Sequence, residues 1–475
     1  MGNKLEQKFG LVTAICMVVG IVIGSGVFFK AVNVLSNCGG DMGKSLLVIG
    51  IVGLICIVCS CVFASMSNKY AGCNGVVDYA EVACGPRFAY NVGWFMSTMY
   101  YPIIASTLAF ISARYTSILL GIDTETGAFG FFTIGLGGLF LMAGICVNAL
   151  APKLAGKLQV SMTVIKLVPL LIMGVIGTII GLCNGNSIDI FAEGAALAQA
   201  NAEAGGVFAG VCAFAFAYEG WIIATTINSE LRNPKKDLPK ALIVGALFCT
   251  AIYMIYVFSM SATMSAQEIL DAGDALPKIA FSRLFHTDVA GTIVMVFIII
   301  SCLGTMNGIT MATMRGFHSI AVRGQGPKAD VIAEVDESTG MPLKSCILGA
   351  LCAAFWYFQC AVLFFNGPCV TGLTGNPNWF FGWEADEIVI ITLYAFYIPI
   401  FLFLVCKGGK HGFTALERFA AILGLCACLF LCYCCFQAWG PFMASYLVFF
   451  AIVMIVGNFF YKKEAQKDVV NVDAA

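Results

Sequence analysis

Long apolar runs separated by short polar connections make up almost the whole chain. The pattern predicts twelve helices, at about 9–35, 44–67, 86–120, 128–150, 157–182, 205–231, 238–262, 284–318, 343–365, 386–406, 414–436 and 438–461. A continuous run of ~20 apolar residues is the length that crosses a bilayer core. A membrane β-barrel would show shorter, alternating segments instead. The expected fold class is therefore an all-α membrane protein. Two runs are interrupted. Gly24-Ser25-Gly26 is poor helix-forming sequence inside the apolar run that starts near residue 9. Phe216-Ala-Tyr-Glu-Gly-Trp221 interrupts the run that starts near residue 205. Paired interruptions in two halves of a chain point to a transporter's binding site. For Gly24-Ser25-Gly26 taken alone, close helix packing by small residues is the competing reading.

Composition agrees with the bilayer. The chain is 60% hydrophobic and 11% charged, where soluble domains carry about 25% charged residues. A net charge of -1 argues against a nucleic-acid partner. Met1 to Lys8 is a polar tail without the order of a cleavable signal, so the first run is expected to double as an uncleaved insertion signal. Most of the 22 cysteines lie inside apolar runs, where free Cys behaves as a small apolar residue. No His or carboxylate accompanies the cluster Cys426 to Cys435, so neither a metal nor a disulfide framework is expected there.

Positive charge sets the expected orientation, because Lys and Arg collect in cytoplasmic loops. Loops on the N-terminal side, from Lys4 and Lys8 to Lys462, Lys463 and Lys467, hold 20 of the 26 basic residues. The opposite side has Lys44, Lys278 and Arg283, and Lys30, Arg114 and Lys166 fall within or near helices. Both termini are expected in the cytoplasm. Ser265 to Phe285 reads as a polar external segment with room for a short helix, and Arg323 to Lys344 as a solvated internal loop. The tail after Lys462 is polar.

A helix broken at mid-membrane exposes N–H groups at the start of its second half and C=O groups at the end of its first. The N–H end attracts an anion and the C=O end a cation. Ser25, Gly26 and Val27 would thus meet a carboxylate, and carbonyls around Val22 and Phe216 an ammonium. An α-amino acid fits that arrangement. Lys166 lies nine residues past Lys157, ~14 Å along a helix, close to the bilayer centre. An intramembrane charge is a functional hypothesis by default, with a satisfied structural pair as the alternative. Glu219, in the second break, has three open roles: contact with a cationic substrate, proton carriage, or capping of the half-helix that follows. Phe216 and Tyr218 flank that break and are candidates to close over a ligand. Tyr253 offers a hydroxyl midway along the seventh helix, where packing is as natural a role. Tyr100-Tyr101-Pro102 is a weaker candidate. His286, His318 and His411 sit at loops or helix ends and receive no proton-relay role.

At these residues the chain resembles the amino acid–polyamine–organocation (APC) superfamily. Ile23-Gly-Ser-Gly-Val-Phe28 is similar to that superfamily's first-helix signature. Phe216-Ala-Tyr-Glu-Gly-Trp221, followed by Glu230-Leu-Arg-Asn-Pro-Lys-Lys-Asp-Leu-Pro239, resembles its sixth helix and the loop after it. Ser301-Cys-Leu-Gly-Thr-Met-Asn-Gly308, with Arg315 and Gly324 beyond, is similar to helix eight of the L-type branch, which includes bacterial serine/threonine exchangers. The resemblance implies a LeuT-type 5+5 inverted repeat of about twelve transmembrane helices, with helices 1 and 6 broken at mid-membrane. It implies a cytoplasmic tail at 1–8, repeats at 9–182 and 205–406, two further helices at 414–461 and a cytoplasmic tail at 462–475. It carries substrate binding to Val22, Ser25, Gly26, Val27, Phe216 and Glu219, the gate to Phe216 with Tyr218 beside it, and transport coupling to Lys166 and Tyr253. In sodium-driven relatives a sodium ion stands where Lys166 would, and carriers of this branch with the lysine work without sodium, often as exchangers. Two segments depart from the family. Many L-type carriers have Gly in place of Glu219, while some carriers of cationic amino acids have an acid there. Cys73-Asn-Gly-Val-Val-Asp-Tyr79 replaces the usual Gly-Gly motif after helix two.

The expected function is sodium-independent amino-acid exchange across the cytoplasmic membrane by alternating access, with a proton-coupled amino-acid or polyamine symporter as the alternative. An amino-acid-sensing receptor or channel is the alternative of another class. No enzyme chemistry, cofactor, metal, nucleic acid or obligate protein partner is expected, only an amino-acid substrate and the lipid bilayer.

Overall fold

The computed structural model describes residues 10–24, 26–70, 75–122, 127–201, 206–222, 231–364 and 383–463. These residues are almost entirely helical. The first apolar run becomes two helices, α1 (Leu11–Val22) and α2 (Gly26–Asn37), separated where Ile23 turns extended with ψ 92°. Asp41 caps the next, α3 (Met42–Lys69), accepting from the Lys44 N–H at 3.0 Å. A short helix α4 (Val76–Cys84) then leads through Gly85 into α5 (Pro86–Leu119). Pro86 and Pro152 stand at helix starts, where a missing N–H costs nothing. They open α5 and α7 (Pro152–Ile165), with α6 (Gly127–Leu150) between them.

The fifth run differs from its expected continuous form. It is divided at Lys166 into α7 and α8 (Leu167–Asn184). After it comes α9 (Asn186–Ala200), a helix the hydropathy pattern does not announce. It closes on the turn at Gly40 and Asp41, approaching so nearly that a side chain at Gly194 would collide with the Gly40 carbonyl, 2.6 Å from an added Cβ. The second interrupted run is α10 (Gly206–Ala215) and a tight turn at Phe216–Tyr218. The remaining helices are α11 (Pro234–Ser259), α12 (Ala266–Ala272), α13 (Leu276–Leu284), α14 (Asp288–Ala321), α15 (Ala329–Ile332), α16 (Leu343–Phe364), α17 (Ala385–Lys407), α18 (Ala415–Trp439) and α19 (Phe442–Phe459).

Among the described residues, ten helices are long and apolar enough to cross a membrane, and two shorter apolar helices are the interrupted ones, at Leu11–Gly20 and Gly206–Tyr218. The polar segment between α11 and α14 carries α12 and α13. Ser265 and Glu268 cap α12 reciprocally, and the Ser265 N–H together with Arg283 holds the Glu268 carboxyl below its ordinary range. The segment from Arg323 is not a free loop in its first half. Arg323 pairs with Asp78 and Glu81 of α4, the latter at 2.9 Å. Gln325 exchanges two hydrogen bonds with the Lys462 backbone, at 2.7 and 2.8 Å. Ala329 and Ile332 bury against Tyr90 and Phe317. Hydrophilic composition alone concealed these anchors.

Within an apolar slab, helices are joined by small residues and by polar contacts. One such knot ties α6, α7 and α14 together. The Asn307 amide donates to the Ala155 carbonyl at 3.0 Å and to Gln159 at 3.1 Å, while Asn148 donates to the Asn307 side-chain oxygen at 3.0 Å. Asn307→Leu is expected to cost about 1–2 kcal/mol, read as a lower melting temperature of the detergent-purified protein. An unchanged melting temperature would show that the knot holds nothing.

Candidate functional site

The break in the first run is made by crowding as well as by weak propensity. A Cβ on Gly26 would lie 2.8 Å from the Ala217 Cα, and one on Gly24 would lie 3.0 Å from the Thr305 hydroxyl. The two interrupted helices therefore touch backbone to backbone at their breaks. Ser25 lies outside the described residues. Gly26 and Val27 start α2 and are buried, so the unpaired N–H groups of a first turn open inside the protein and not to solvent. They form the positive pole of a 12-residue helix.

The opposite pole belongs to α1, whose last carbonyls have no following turn to bond. Two side chains from other helices meet them. Lys166, 2% exposed, donates its ammonium to the Gly20 carbonyl. Tyr253, fully buried on α11, places its hydroxyl 2.9 Å from the Val22 carbonyl and 2.8 Å from the Ala217 carbonyl, so its one proton serves the ends of both broken helices. A cation at a helix C-terminus is electrostatically favoured, and here it stands in a medium that would otherwise leave the carbonyls unsatisfied. Lys166 stands at the junction of α7 and α8, where the backbone stays right-handed with φ -68° and ψ -21°.

At the second break, the Phe216 carbonyl accepts from the Glu219 N–H at 3.1 Å, and Gly220 takes φ 103°, a left-handed conformation open to glycine. Residues 223–230, including Glu230 and the half-helix that Glu219 would cap, lie outside the described residues. Phe216 packs edge-on against Phe29 with ring centroids 5.3 Å apart. Tyr218 is buried, donates to the Ile49 carbonyl of α3 at 3.1 Å and packs on Tyr253. Glu219 accepts a short hydrogen bond from the Tyr100 hydroxyl through one oxygen. Its other oxygen is buried and has no hydrogen-bond partner among the described residues.

The structure thus gathers Val22, Gly26, Phe216, Lys166 and Tyr253 around one junction, with Val27 in the first turn of α2 and Glu219 on the Tyr100 side. It also shows an ion cluster that sequence patterning did not assign. Lys30, one turn into α2 and 1% exposed, lies 2.7 Å from Glu387, 2.9 Å from Asp386 and 3.3 Å from Glu384. Its ammonium is 5.7 Å from the centre of the Phe216 ring. The available signal was the acidic group Glu384, Asp386 and Glu387 at the start of an apolar run, which asks for a cation. Among the described residues, no cluster of His, Cys, Asp and Glu is arranged to hold a metal ion.

Comparison with known proteins bears on this geometry. The amino acid permease family matches residues 9–461. The serine/threonine exchanger SteT of Bacillus subtilis (strain 168) is 27% identical over 430 residues, 89% of this chain and 90% of that protein. The b(0,+)-type amino acid transporter 1 of Homo sapiens is 26% identical over 389 residues, 78% of this chain and 76% of that protein. Among solved structures, MhsT in complex with L-phenylalanine superposes with a TM-score of 0.54 at 16% identity, covering 96% of this chain and all of that one. At that identity the likeness shows the fold, which is the LeuT fold.

The Lys166 contact generates a direct test. Lys166→Ala leaves the α1 carbonyls without their cation, and amino-acid uptake is expected to fall more than roughly tenfold, about 1.4 kcal/mol or more in the barrier. External sodium is expected not to restore it. Unchanged turnover in the purified variant would remove Lys166 from the mechanism.

Proposed function

The chain belongs to the amino acid permease family and is an amino-acid transporter, and we propose that it works as a sodium-independent exchanger by alternating access around the two breaks. The proposal includes the 5+5 inverted repeat over 9–182 and 205–406, helices at 414–461 outside it, and both termini in the cytoplasm. The observation that carries it is the Lys166 ammonium on the Gly20 carbonyl. A fixed cation at the negative pole of α1 supplies the charge that a coupling ion would otherwise bring. Substrate then completes the opposite pole: its carboxylate meets the first-turn N–H groups of Gly26 and Val27 with Ser25 beside them, and its ammonium meets carbonyls near Val22 and Phe216. Those carbonyls already hold one bond each, and a carbonyl has two lone pairs.

One relative supports exchange by name. The similar Bacillus subtilis protein is called a serine/threonine exchanger. Phe216, in edge contact with Phe29, is the residue that would cover the bound amino acid. Tyr218, turned towards α3, would have to rotate out to join it.

One observation favours a second reading. The buried, unpartnered oxygen of Glu219 is suited to a proton or to a cationic side chain, because an isolated carboxylate oxygen in an apolar site is costly. Proton symport, or preference for a cationic amino acid or polyamine, follows from those two fillings.

Purified protein in liposomes separates the readings. Labelled amino acids and polyamines are offered outside, with and without internal amino acid, a proton gradient or sodium. Uptake that rises several-fold with internal amino acid and ignores sodium is the expected result. Uptake into empty vesicles that follows the proton gradient would contradict exchange. In the same assay, Glu219→Gln is expected to weaken lysine or arginine transport far more than serine or leucine transport if the acid reads substrate charge. Equal losses for all would leave it a structural residue.

A further inference from the structure

Away from the two breaks, a groove of about 340 Å³ runs between α17, α18 and α19. Its walls are mainly apolar, with Ile391, Phe396, Phe436, Leu447 and Phe450 among them. The two hydroxyls that line it are already bonded: Tyr446 to Thr392, and Thr392 to the Ile388 carbonyl at 2.8 Å. An occupant therefore meets an apolar surface. Phe436 and Leu447 are half-exposed, and all three helices are long and apolar enough to cross a membrane. The medium that reaches the groove is lipid hydrocarbon.

Phe88 of α5 also lines the groove. Its neighbour Arg87 lines an open recess with Asn91 of α5 and Ile455, Asn458 and Phe459 of α19, so the same two helices serve both hollows. Asn458 lies eight residues beyond Phe450, ~12 Å along α19, within the ~15 Å that one leaflet contributes to a hydrocarbon core. Arg87 is exposed, and its Nε and Nη2 share one neutral acceptor, the Asn458 Oδ1, at 3.3 and 3.2 Å. Asn458 is held in turn by donating to Asn91 at 3.2 Å and to the Met454 carbonyl at 2.9 Å. Among the described residues no carboxylate pairs with Arg87, and Asp78 and Glu81 of the preceding helix are committed to Arg323. Other cations stand close by. Lys407 acts electrostatically on Cys84, three residues before Arg87. Lys462 and Lys463 follow Tyr461, whose ring lies 5.8 Å from the Arg87 guanidinium.

A guanidinium without a counter-ion, beside an apolar groove open to hydrocarbon, matches an amphiphile with an anionic head. We propose that the two hollows together bind one anionic phospholipid, its phosphate on Arg87 and one acyl chain in the groove. A guanidinium takes a phosphate through paired N–H donors. The site rests on the orientation given above, which puts the end of α19 at the cytoplasmic leaflet, where anionic lipid attracts basic residues. It does not depend on exchange. The bound chain wedges α17 against α19, and α17 is the helix whose Asp386 and Glu387 hold Lys30 of α2.

The test is native mass spectrometry of the detergent-purified full chain, offered equal amounts of dioleoyl phosphatidylglycerol and dioleoyl phosphatidylcholine. Wild type is expected to retain one phosphatidylglycerol per chain, favoured about fivefold, the effect of one basic residue at an anionic surface. Arg87→Lys is expected to keep that preference and Arg87→Gln to lose it. Ala395→Phe, which narrows the groove, is expected to retain less of both lipids. Equal retention of the two lipids by wild type overturns the site without recourse to any variant. A preference that survives Arg87→Gln, or retention unchanged by Ala395→Phe, also overturns it. Loss of the lipid to excess inorganic phosphate would make the recess a free-anion site. A lipid-free dimer that Ala395→Phe separates would give the groove to a second copy of the chain, and either result contradicts the proposal.

Discussion

A main chain interrupted inside an apolar slab has to satisfy its own broken ends, and the rest of the structure answers to that constraint. Away from water, each unsatisfied backbone group costs several kcal/mol. Here the carbonyl end of α1 is met by the Lys166 ammonium and the Tyr253 hydroxyl. Neither residue belongs to the broken helices. The burial of Lys166 and of Tyr253 on α11 and the small residues at Gly24 and Gly26 all serve this one contact region. Among the described residues no acceptor meets the first N–H groups of α2. That asymmetry makes a small anion-bearing molecule the natural complement of the proposed site.

The same logic extends along α2. One turn beyond the break, Lys30 is surrounded by carboxylates from the start of α17 and lies against Phe29 and Phe216. An ammonium buried to that extent is tolerated only when paired. The pairs tie α2 to the far end of the chain at the same level where the aromatic rings cover the break. Movement of α2 relative to α17 therefore has to break or exchange ion pairs, whereas the Lys166 and Tyr253 contacts can persist on the other side of the break. In an alternating-access cycle the two ends of the interrupted helix would thus have unequal freedom.

Much of this was legible in the chain, for physical reasons. Long apolar runs declare membrane helices because length and hydropathy are local properties, and among the described residues nine of the ten long helices stand where the pattern places them, the fifth run being the one interrupted at Lys166. A lysine inside an apolar run has to be enclosed and paired, and Lys166, nine residues past Lys157, is 2% exposed with its ammonium on the Gly20 carbonyl. What stayed hidden depends on contacts between distant residues. Lys30 meets Glu387 across 357 residues, and Glu219 meets Tyr100 across 119. Hydropathy cannot report such partners. Helix α9 escaped notice because its buried positions are Ser187, Ile190 and Gly194, two of which carry almost no apolar signal. The polar stretch from Arg323 read as solvated because its anchors, Arg323 and Gln325, are themselves polar.

The central claim is that the main chain at the first break is the substrate's carboxylate site. The most direct measurement is an experimental structure of the protein in nanodiscs, determined with saturating transported amino acid. The account predicts density for the substrate carboxylate against the N–H groups of Gly26 and Val27, with its ammonium towards the carbonyls near Val22 and Phe216. An amino acid bound with its carboxylate elsewhere, and the first turn of α2 left without a ligand, would contradict it.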